Sequence, residues 1–306
     1  MFVATPGRFA LAFGRAAWRG VEYSLDDDPR RHAIAVARNS GLTDDGDFLD
    51  TVREFTADLP FAAPWLWAID RYATQVRPDA YLFRVDWQGE IPIAATLYCR
   101  FPVEPDAQDF AAAMQAAHPI LWQGPDPKPI AVALGVAGPR GVGLRVIATG
   151  TCSAAVYFRA PEIRRAEARP VIGAITEALG LPDDLAEAIE EDLRGLSSTS
   201  GGVIGVGPDS DGSLTLKLNP PNVPVQQGLA FLAGRGVPAA RIAAVRDLAT
   251  SFRAASLSYL GVRYAASGFT GWRAYLSVEP ARLPVPLQPR LSLERAYMPT
   301  LRLPHE

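Results

Sequence analysis

The chain has 306 residues, of which 48% are hydrophobic and 21% charged, and its formal net charge is −3. This length suits two ordinary domains or one large barrel, and the apolar share allows a sizeable core. The small acidic charge argues against a nucleic-acid partner, because binding phosphates needs a clear basic excess.

The two cysteines, Cys99 and Cys152, both lie in apolar runs. Two cysteines are too few for a disulfide framework, so we interpret both as reduced core residues and expect a cytoplasmic protein. No apolar run approaches the about 18 residues that a membrane-spanning helix needs. Residues 1–23 mix arginines with aromatic residues, which is unlike a signal peptide and favours an amphipathic first helix. We expect no membrane partner.

Strand hairpins alternate with Ala-rich helices along the chain. The patterns predict hairpins over 81–101, 144–159, 203–219 and 258–278, a single strand over 129–136, and helices over 106–117, 164–179, 185–193, 225–234 and 239–255. Residues 1–80 are expected to be a mainly helical N-terminal part, and residues 280–306 a proline-rich tail on the surface. One domain is expected to span residues 1–306.

Short hairpins favour an antiparallel sheet, since parallel neighbours need a crossover connection. Eight to ten such strands would expose vulnerable edges unless the sheet closes into a barrel. Helices between the hairpins would then cover the outside. The sequence therefore predicts an α/β (α+β) protein with an apolar barrel exterior and polar side chains in the lumen.

The alternation of side chains within the strands also predicts the charge of that lumen. Arg273 and Tyr275 share one strand face, as do Lys217 and Asn219, while their neighbours in sequence are apolar. Similar basic, hydroxyl or tyrosine faces recur on most of the other predicted strands. A barrel filled only by its own side chains would not need cations inside, so this pattern indicates an anionic ligand.

Several segments between residues 144 and 283 carry a resemblance to a known family. They are Ala155-Val156-Tyr157-Phe158, the run Glu177 to Pro182, the turn at Asp211-Gly212, Ser258 to Val262 and Gly271 to Tyr275. In order and spacing the chain resembles the ABBA-fold aromatic prenyltransferases, in particular the soluble bacterial branch that acts on phenols and indoles. The resemblance implies a closed antiparallel ten-stranded barrel of repeated ααββ units, surrounded by helices.

The resemblance also implies a reaction: transfer of a dimethylallyl or geranyl group from its diphosphate to an aromatic acceptor in the lumen. The acceptor would be a small molecule or an aromatic side chain of a peptide. No cofactor is required by this chemistry; a supporting Mg²⁺ stays open, although the chain has no Asp-rich motif of the chain-elongating synthases.

Site residues follow from the lumen parity together with the resemblance. The candidate cations on strands include Arg100, and those assigned to the diphosphate are Arg84, Arg145, Lys217, Arg263 and Arg273. The tyrosines expected to shield the allylic cation are Tyr98, Tyr157, Tyr259 and Tyr275. Asp86 is the candidate to orient or deprotonate the acceptor.

Other readings remain open at this point. The strand over 151–158 has Thr151, Ser153 and Ala155 where the family often carries lysine or asparagine. A relative that has lost diphosphate chemistry is therefore an alternative, acting as a cyclase or isomerase of a natural-product pathway or as a metabolite-binding protein. The three histidines have no ligand spacing, so no metal site is assigned.

Overall fold

The computed structural model describes residues 9, 12–13, 20–28, 30–39, 45–59, 61, 78, 80–101, 124, 126–160, 165–196, 202–208 and 214–278. The described strands are β1 (Gly20–Asp26), β2 (Arg31–Asn39), β3 (Ala80–Gln88), β4 (Ile91–Arg100), β5 (Gly141–Ile147), β6 (Cys152–Ala160), β7 (Gly202–Pro208), β8 (Leu214–Asn219), β9 (Pro221–Pro224), β10 (Ser256–Ala265) and β11 (Gly268–Val278). The described helices are α1 (Asp45–Ala57), α2 (Lys128–Leu134), α3 (Arg165–Ala178), α4 (Asp183–Leu196), α5 (Val225–Gly234) and α6 (Ala239–Ser251).

The strands form one closed antiparallel barrel. Each strand from β1 to β7 pairs with the next one, β8 pairs with β10, and β10 pairs with β11. The last strand then pairs with the first, Tyr275 standing opposite Ser24 and Arg273 opposite Asp26. Because β9 continues β8 along the same neighbour β10, the two occupy one position in the wall. The predicted ten-stranded barrel is confirmed.

The alternation of side chains sorts the barrel into an apolar outside and a polar inside. On β3, Phe83, Val85 and Trp87 are each fully buried on the outer face. Phe83 packs against Phe55 of α1, with ring centroids 6.2 Å apart. Arg84 lies between these residues in sequence and therefore points to the lumen. The burial of such apolar strand faces under the helices supplies the main stabilisation of the fold.

Strands β1 and β2 correct the expectation of a mainly helical N-terminal part. They form a hairpin in which Val21 faces Val36 and Tyr23 faces Ile34. The period-two alternation of β1 was present in the sequence, since Val21, Tyr23 and Leu25 alternate with polar residues. It is only seven residues long and carries an acidic end, which made its strand character weak.

The predicted strand over 129–136 is wrong, because the structure has helix α2 there. Pro127 and the Pro at the second helical position favour a helix start, and Gly135 ends the helix with a left-handed φ of 66°. Short apolar runs of this kind do not distinguish a strand from a helix by periodicity. The predicted helix over 106–117 and the tail over 280–306 lie outside the described residues.

Helices α3 to α6 and the hairpins between them follow the predicted order, with ends displaced by a few residues. Within the described part of the chain, none of the helices has the length and hydropathy needed to cross a membrane. Cys99 is buried on the outer face of β4 and Cys152 is half-buried, and neither is in a disulfide.

Candidate functional site

The barrel lumen holds two connected chambers. The upper chamber has a volume of about 710 Å³ and the lower chamber about 120 Å³. Four side chains line both: Arg84, Tyr98, Tyr157 and Lys217. We call these four the partition. They come from four different strands, and the alternation of β3, β4, β6 and β8 places all of them on the inner face, where they line both chambers.

The lower chamber is basic and rich in hydroxyl groups. Below the partition it is lined by Arg145 on β5, Arg263 on β10 and Arg273 on β11. Thr96, Ser153 and Thr215 add hydroxyl groups to its wall. With Arg84 and Lys217, five cationic side chains therefore face a space of about 120 Å³, which is a strong field for an anion in a medium of low dielectric constant.

Asp86 is the counter-charge of this cluster. Its carboxylate accepts a 2.7 Å hydrogen bond from Nη1 of Arg273, and its Oδ2 lies 3.4 Å from Nη2 of Arg84 and 3.8 Å from Nη2 of Arg145. Burial would raise the pKa of Asp86, but the three guanidinium groups hold it well below its usual value. Its side chain is 3% exposed and lines neither chamber.

These contacts argue against the role expected for Asp86. A carboxylate with a strongly lowered pKa, held by three arginines and out of contact with either chamber, is a poor proton acceptor. It is instead suited to hold Arg84 and Arg273 in place. The pKa of Arg84 shows the reciprocal effect: burial lowers it, yet the Asp86 carboxylate raises it above its usual value.

Arg273 joins the two ends of the sheet. Its Nη2 donates a 2.8 Å hydrogen bond to Oδ2 of Asp26, while its Nη1 binds Asp86. Asp26 and Arg273 stand opposite each other on β1 and β11. The guanidinium group is thereby fixed by two carboxylates, which leaves its remaining surface facing the lower chamber.

Lys217 is a cation of the partition whose pKa is strongly shifted. Its Nζ donates a hydrogen bond to the hydroxyl of Tyr275, and Nζ lies 5.1 Å from the centre of the Tyr275 ring. Burial lowers the pKa of Lys217 well below its usual value, and the charges of Arg84, Arg273 and Arg263 lower it further. An anion bound here would reverse that shift.

The four tyrosines all line the upper chamber. Tyr98 and Tyr157 meet edge to face, with centroids 5.5 Å apart, and Tyr259 and Tyr275 do the same at 6.4 Å. The guanidinium of Arg84 lies 5.3 Å from the centre of the Tyr98 ring. Electron-rich ring faces next to a water-poor cavity stabilise a passing cation.

Glu22 is the site residue that the sequence prediction missed. It lies on β1, opposite Ser277 and Ala35, and lines the upper chamber. Burial raises the pKa of Glu22 to about 7, and the charges of Arg84 and Lys217 offset the burial only in part. The alternating pattern of β1 was the one signal that could have placed it in the lumen.

The predicted diphosphate residues and tyrosines therefore converge. Arg84, Arg145, Lys217, Arg263 and Arg273 line the lower chamber, and Tyr98, Tyr157, Tyr259 and Tyr275 line the upper one. Arg100 lies at the mouth of the upper chamber, with Arg140 and Arg159. Among the residues that the model describes, no three His, Cys, Asp or Glu side chains come together as a metal site would require.

The barrel is similar to those of several solved structures. The chain superposes on AnaPT from Neosartorya fischeri with a TM-score of 0.61 and 14% identity, over 84% of this chain and 77% of that one. For the 5-dimethylallyltryptophan synthase from Streptomyces coelicolor, the TM-score is 0.52 at 16% identity, over 84% and 80% of the chains. The prenyltransferase PriB, in complex with L-tryptophan and dimethylallyl thiolodiphosphate, gives 0.56 at 17% identity, over 84% and 79%.

No model of a known protein family matches the sequence, and no curated protein matches it. The structural matches nevertheless agree with one another and with the barrel described above. The chain has the fold of the ABBA-type aromatic prenyltransferases. Its lumen has a cationic cluster and a wall of tyrosines.

Proposed function

We propose that the protein transfers an allylic prenyl group from its diphosphate to an aromatic acceptor inside the barrel. The observation that carries this proposal is the partition: two cations and two tyrosine rings meet at the boundary between a basic chamber and a larger chamber walled by aromatic residues. A substrate with a doubly charged head and an apolar chain matches that boundary.

The diphosphate would lie against Arg84 and Lys217, with Arg145, Arg263 and Arg273 below it. Breaking the allylic C–O bond leaves both bonding electrons on the diphosphate, so preorganised cations around that oxygen stabilise the transition state. The carboxylates of Asp26 and Asp86 hold Arg273 and Arg84 in fixed positions. Such cations require little rearrangement when charge develops on the leaving group.

The allylic cation would form between the tyrosine pairs. Tyr98 and Tyr157 stand on one side of the lumen wall, and Tyr259 and Tyr275 on another. Their faces stabilise the cation without reacting with it, and their bulk excludes water that would otherwise capture it. If the tyrosines failed to exclude water, water would capture the cation and the prenyl alcohol would form.

Glu22 is the best candidate to accept the proton that the aromatic acceptor loses. When a ring carbon of the acceptor bonds to the prenyl cation, the ring must release one proton to restore aromaticity. When a heteroatom bonds instead, it must release the proton that it carried. A carboxylate with a pKa of about 7 accepts that proton near neutral pH. Glu22 lies in the upper chamber, whose volume of about 710 Å³ has room for an acceptor beside the prenyl chain.

The mouth of the upper chamber indicates the charge of the acceptor. Arg100 at the end of β4, Arg140 before β5 and Arg159 on β6 line it on adjacent strands. An aromatic acceptor that carries a carboxylate would be drawn to this side of the opening. Amino acids and peptides with aromatic side chains meet that description.

The test is to incubate the protein with dimethylallyl and geranyl diphosphates and a panel of indoles, phenols and aromatic peptides. We expect release of inorganic diphosphate and a product heavier by one prenyl group. Binding of dimethylallyl thiolodiphosphate, measured by calorimetry, separates donor binding from turnover. Absence of both binding and diphosphate release would overturn the proposal.

Two outcomes would favour the other classes of function. Tight binding of an aromatic metabolite without donor binding would indicate a metabolite-binding protein. Conversion of a single substrate without any diphosphate would indicate a cyclase or isomerase. The five cations lining the lower chamber favour the transferase over both, because neither alternative requires so concentrated a positive field.

A further inference from the structure

Gly143 occupies an unusual place in the wall of the lumen. It is buried on β5 and stands directly opposite Tyr98 of β4 and opposite Ala155 of β6. Its side of the strand faces the lower chamber, immediately beside the partition. A strand interior generally favours a side chain at such a position, because glycine adds flexibility and no packing.

The backbone does not explain the glycine. Gly143 is absent from the residues with positive φ among the described part of the chain, so any residue can adopt its conformation. The lack of space for a side chain explains the glycine instead. A Cβ atom at this position would lie 2.9 Å from Cε1 of Tyr98 and 3.1 Å from Cε2 of Tyr157. Both rings of the partition therefore rest on the bare backbone of Gly143.

The other edge of Tyr157 is supported in the same way. Gly205 of β7 stands opposite Tyr157, and a Cβ there would lie 2.7 Å from Cε1 of the ring. The ring is thus held flat against the wall between two glycines. Flat rings leave the passage between the chambers open, whereas a methyl group beneath them would push them into the lumen.

We propose that Gly143 is a specificity-determining residue: by setting the tilt of Tyr98 and Tyr157, it fixes the length of prenyl chain that the site accepts. This inference rests on the proposed transfer reaction. The diphosphate is anchored by Arg84 and Lys217 at the partition, so the prenyl chain must extend past these two rings. A chain of ten carbons needs more of that passage than one of five.

The experiment compares Gly143→Ala with the wild-type protein. We expect the ratio of kcat/KM for geranyl over dimethylallyl diphosphate to fall at least about tenfold, since hydrophobic sites discriminate by about 10- to 200-fold for small differences in size. The thiolodiphosphates of both chain lengths, measured by calorimetry, should show the same change in relative affinity. An unchanged ratio, or a shift toward the longer chain, would overturn the inference.

Matched variants separate this role from a general effect on folding. Gly173→Ala in α3 adds a methyl group that meets no heavy atom within 4 Å beyond the backbone of its own helix and its chain neighbours, so it should leave the ratio unchanged. Tyr98→Leu removes one of the two rings and should raise the ratio toward geranyl. In the Tyr98→Leu background, Gly143→Ala should lower the ratio much less than it does alone; an equal decrease in both backgrounds would contradict the mechanism.

The same measurements distinguish failure of this inference from failure of the proposed function. If the wild-type protein binds neither thiolodiphosphate, prenyl transfer itself is refuted. If the wild type binds both and Gly143→Ala remains folded with an unchanged ratio, only the role of Gly143 is refuted. Should Gly143→Ala not fold, the Tyr98→Leu variant alone tests the direction of the effect, and a ratio that does not rise would count against it.

Discussion

The ammonium of Lys217 on β8 and the hydroxyl of Tyr275 on β11 are hydrogen-bonded inside the lumen, although 58 residues separate them in the chain. Burial lowers the pKa of Lys217, and the charges of three arginines lower it further. Lys217 is therefore the cation best placed to bind a diphosphate, and it is also the one that most readily loses its proton in the empty site. This relationship gives the first two predictions.

Lys217→Met should weaken binding of dimethylallyl thiolodiphosphate by about 10- to 100-fold, because a charge-assisted hydrogen bond to the diphosphate is lost. Calorimetry measures the affinity directly. The chain has only one other lysine, Lys128, which is exposed on α2 and provides a matched control. Lys128→Met should bind as the wild type does; equal losses in the two variants would show that the effect is not local to the partition.

Donor affinity should fall as the pH rises. Burial lowers the pKa of Lys217 in the empty protein, which favours loss of its proton, whereas a bound diphosphate favours the protonated form. Binding should therefore take up a fraction of a proton. Calorimetry in buffers of different ionisation enthalpy measures this uptake, and Lys217→Met should abolish most of it. Uptake that persists in the variant would assign the proton to another group.

Glu22→Gln should lower kcat by about 100- to 10,000-fold, the usual contribution of a general base. Its donor affinity should stay close to that of the wild type, since the amide still fits the upper chamber. In the wild type, kcat/KM for the acceptor should rise with pH through about 7, because this ratio reports the free protein, in which only the ionised carboxylate accepts a proton. The Gln variant should lack that rise, and a full pH dependence in it would exclude Glu22 as the base.

Glu22 also predicts a pH dependence of stability. Its pKa is about 7 in the folded protein against 4.5 for the free side chain, so the folded state holds more protons between these values. Stability should then fall as the pH rises from 4.5 to 7. Thermal unfolding of the wild type and of Glu22→Gln over this range measures the difference, and identical slopes would contradict the raised pKa.

Asp86→Asn should destabilise the protein by about 3 kcal/mol, because Arg273, Arg84 and Arg145 would lose their shared counter-charge. Chemical denaturation measures the free energy of unfolding. Asp247→Asn on the exposed face of α6 is the control, and it should have little effect. The stabilisation from Asp86 depends on its ionised form, so it should be lost as the pH falls below the ordinary pKa of an aspartate.

The sequence was sufficient to predict much of the barrel, because the hairpins after residue 80 alternate clearly and are separated by turn residues. The polarity of each strand face then placed Lys217, Arg273 and Tyr275 in the lumen. Closure of the barrel through β1 was not predicted, since seven residues with an acidic end give a weak strand signal. Glu22 was missed for the same reason.

Charge pairing was the other limit of prediction. The alternation of side chains along the strands indicates that Arg84, Asp86 and Arg145 face the lumen. It does not indicate that the three residues lie at the same level along the barrel. Register decides that, and it is fixed by the packing of whole strands: Thr96 faces Arg84 on one side and Arg145 on the other. The three arginine partners of Asp86, which argue against a role as a base, are visible only in three dimensions.

The hydrogen bond between Asp26 and Arg273 spans 247 residues and lies where the first strand meets the last. During synthesis, β1 has no partner on that side until β11 has left the ribosome. A nascent chain ending before β11 would expose an open sheet edge, and Asp26 and Asp86 would both lack their partner Arg273. Formation of the cationic cluster is thus among the last events of folding, and contacts of such long range make that step slow. Newly made chains would depend on protection from aggregation until the barrel closes.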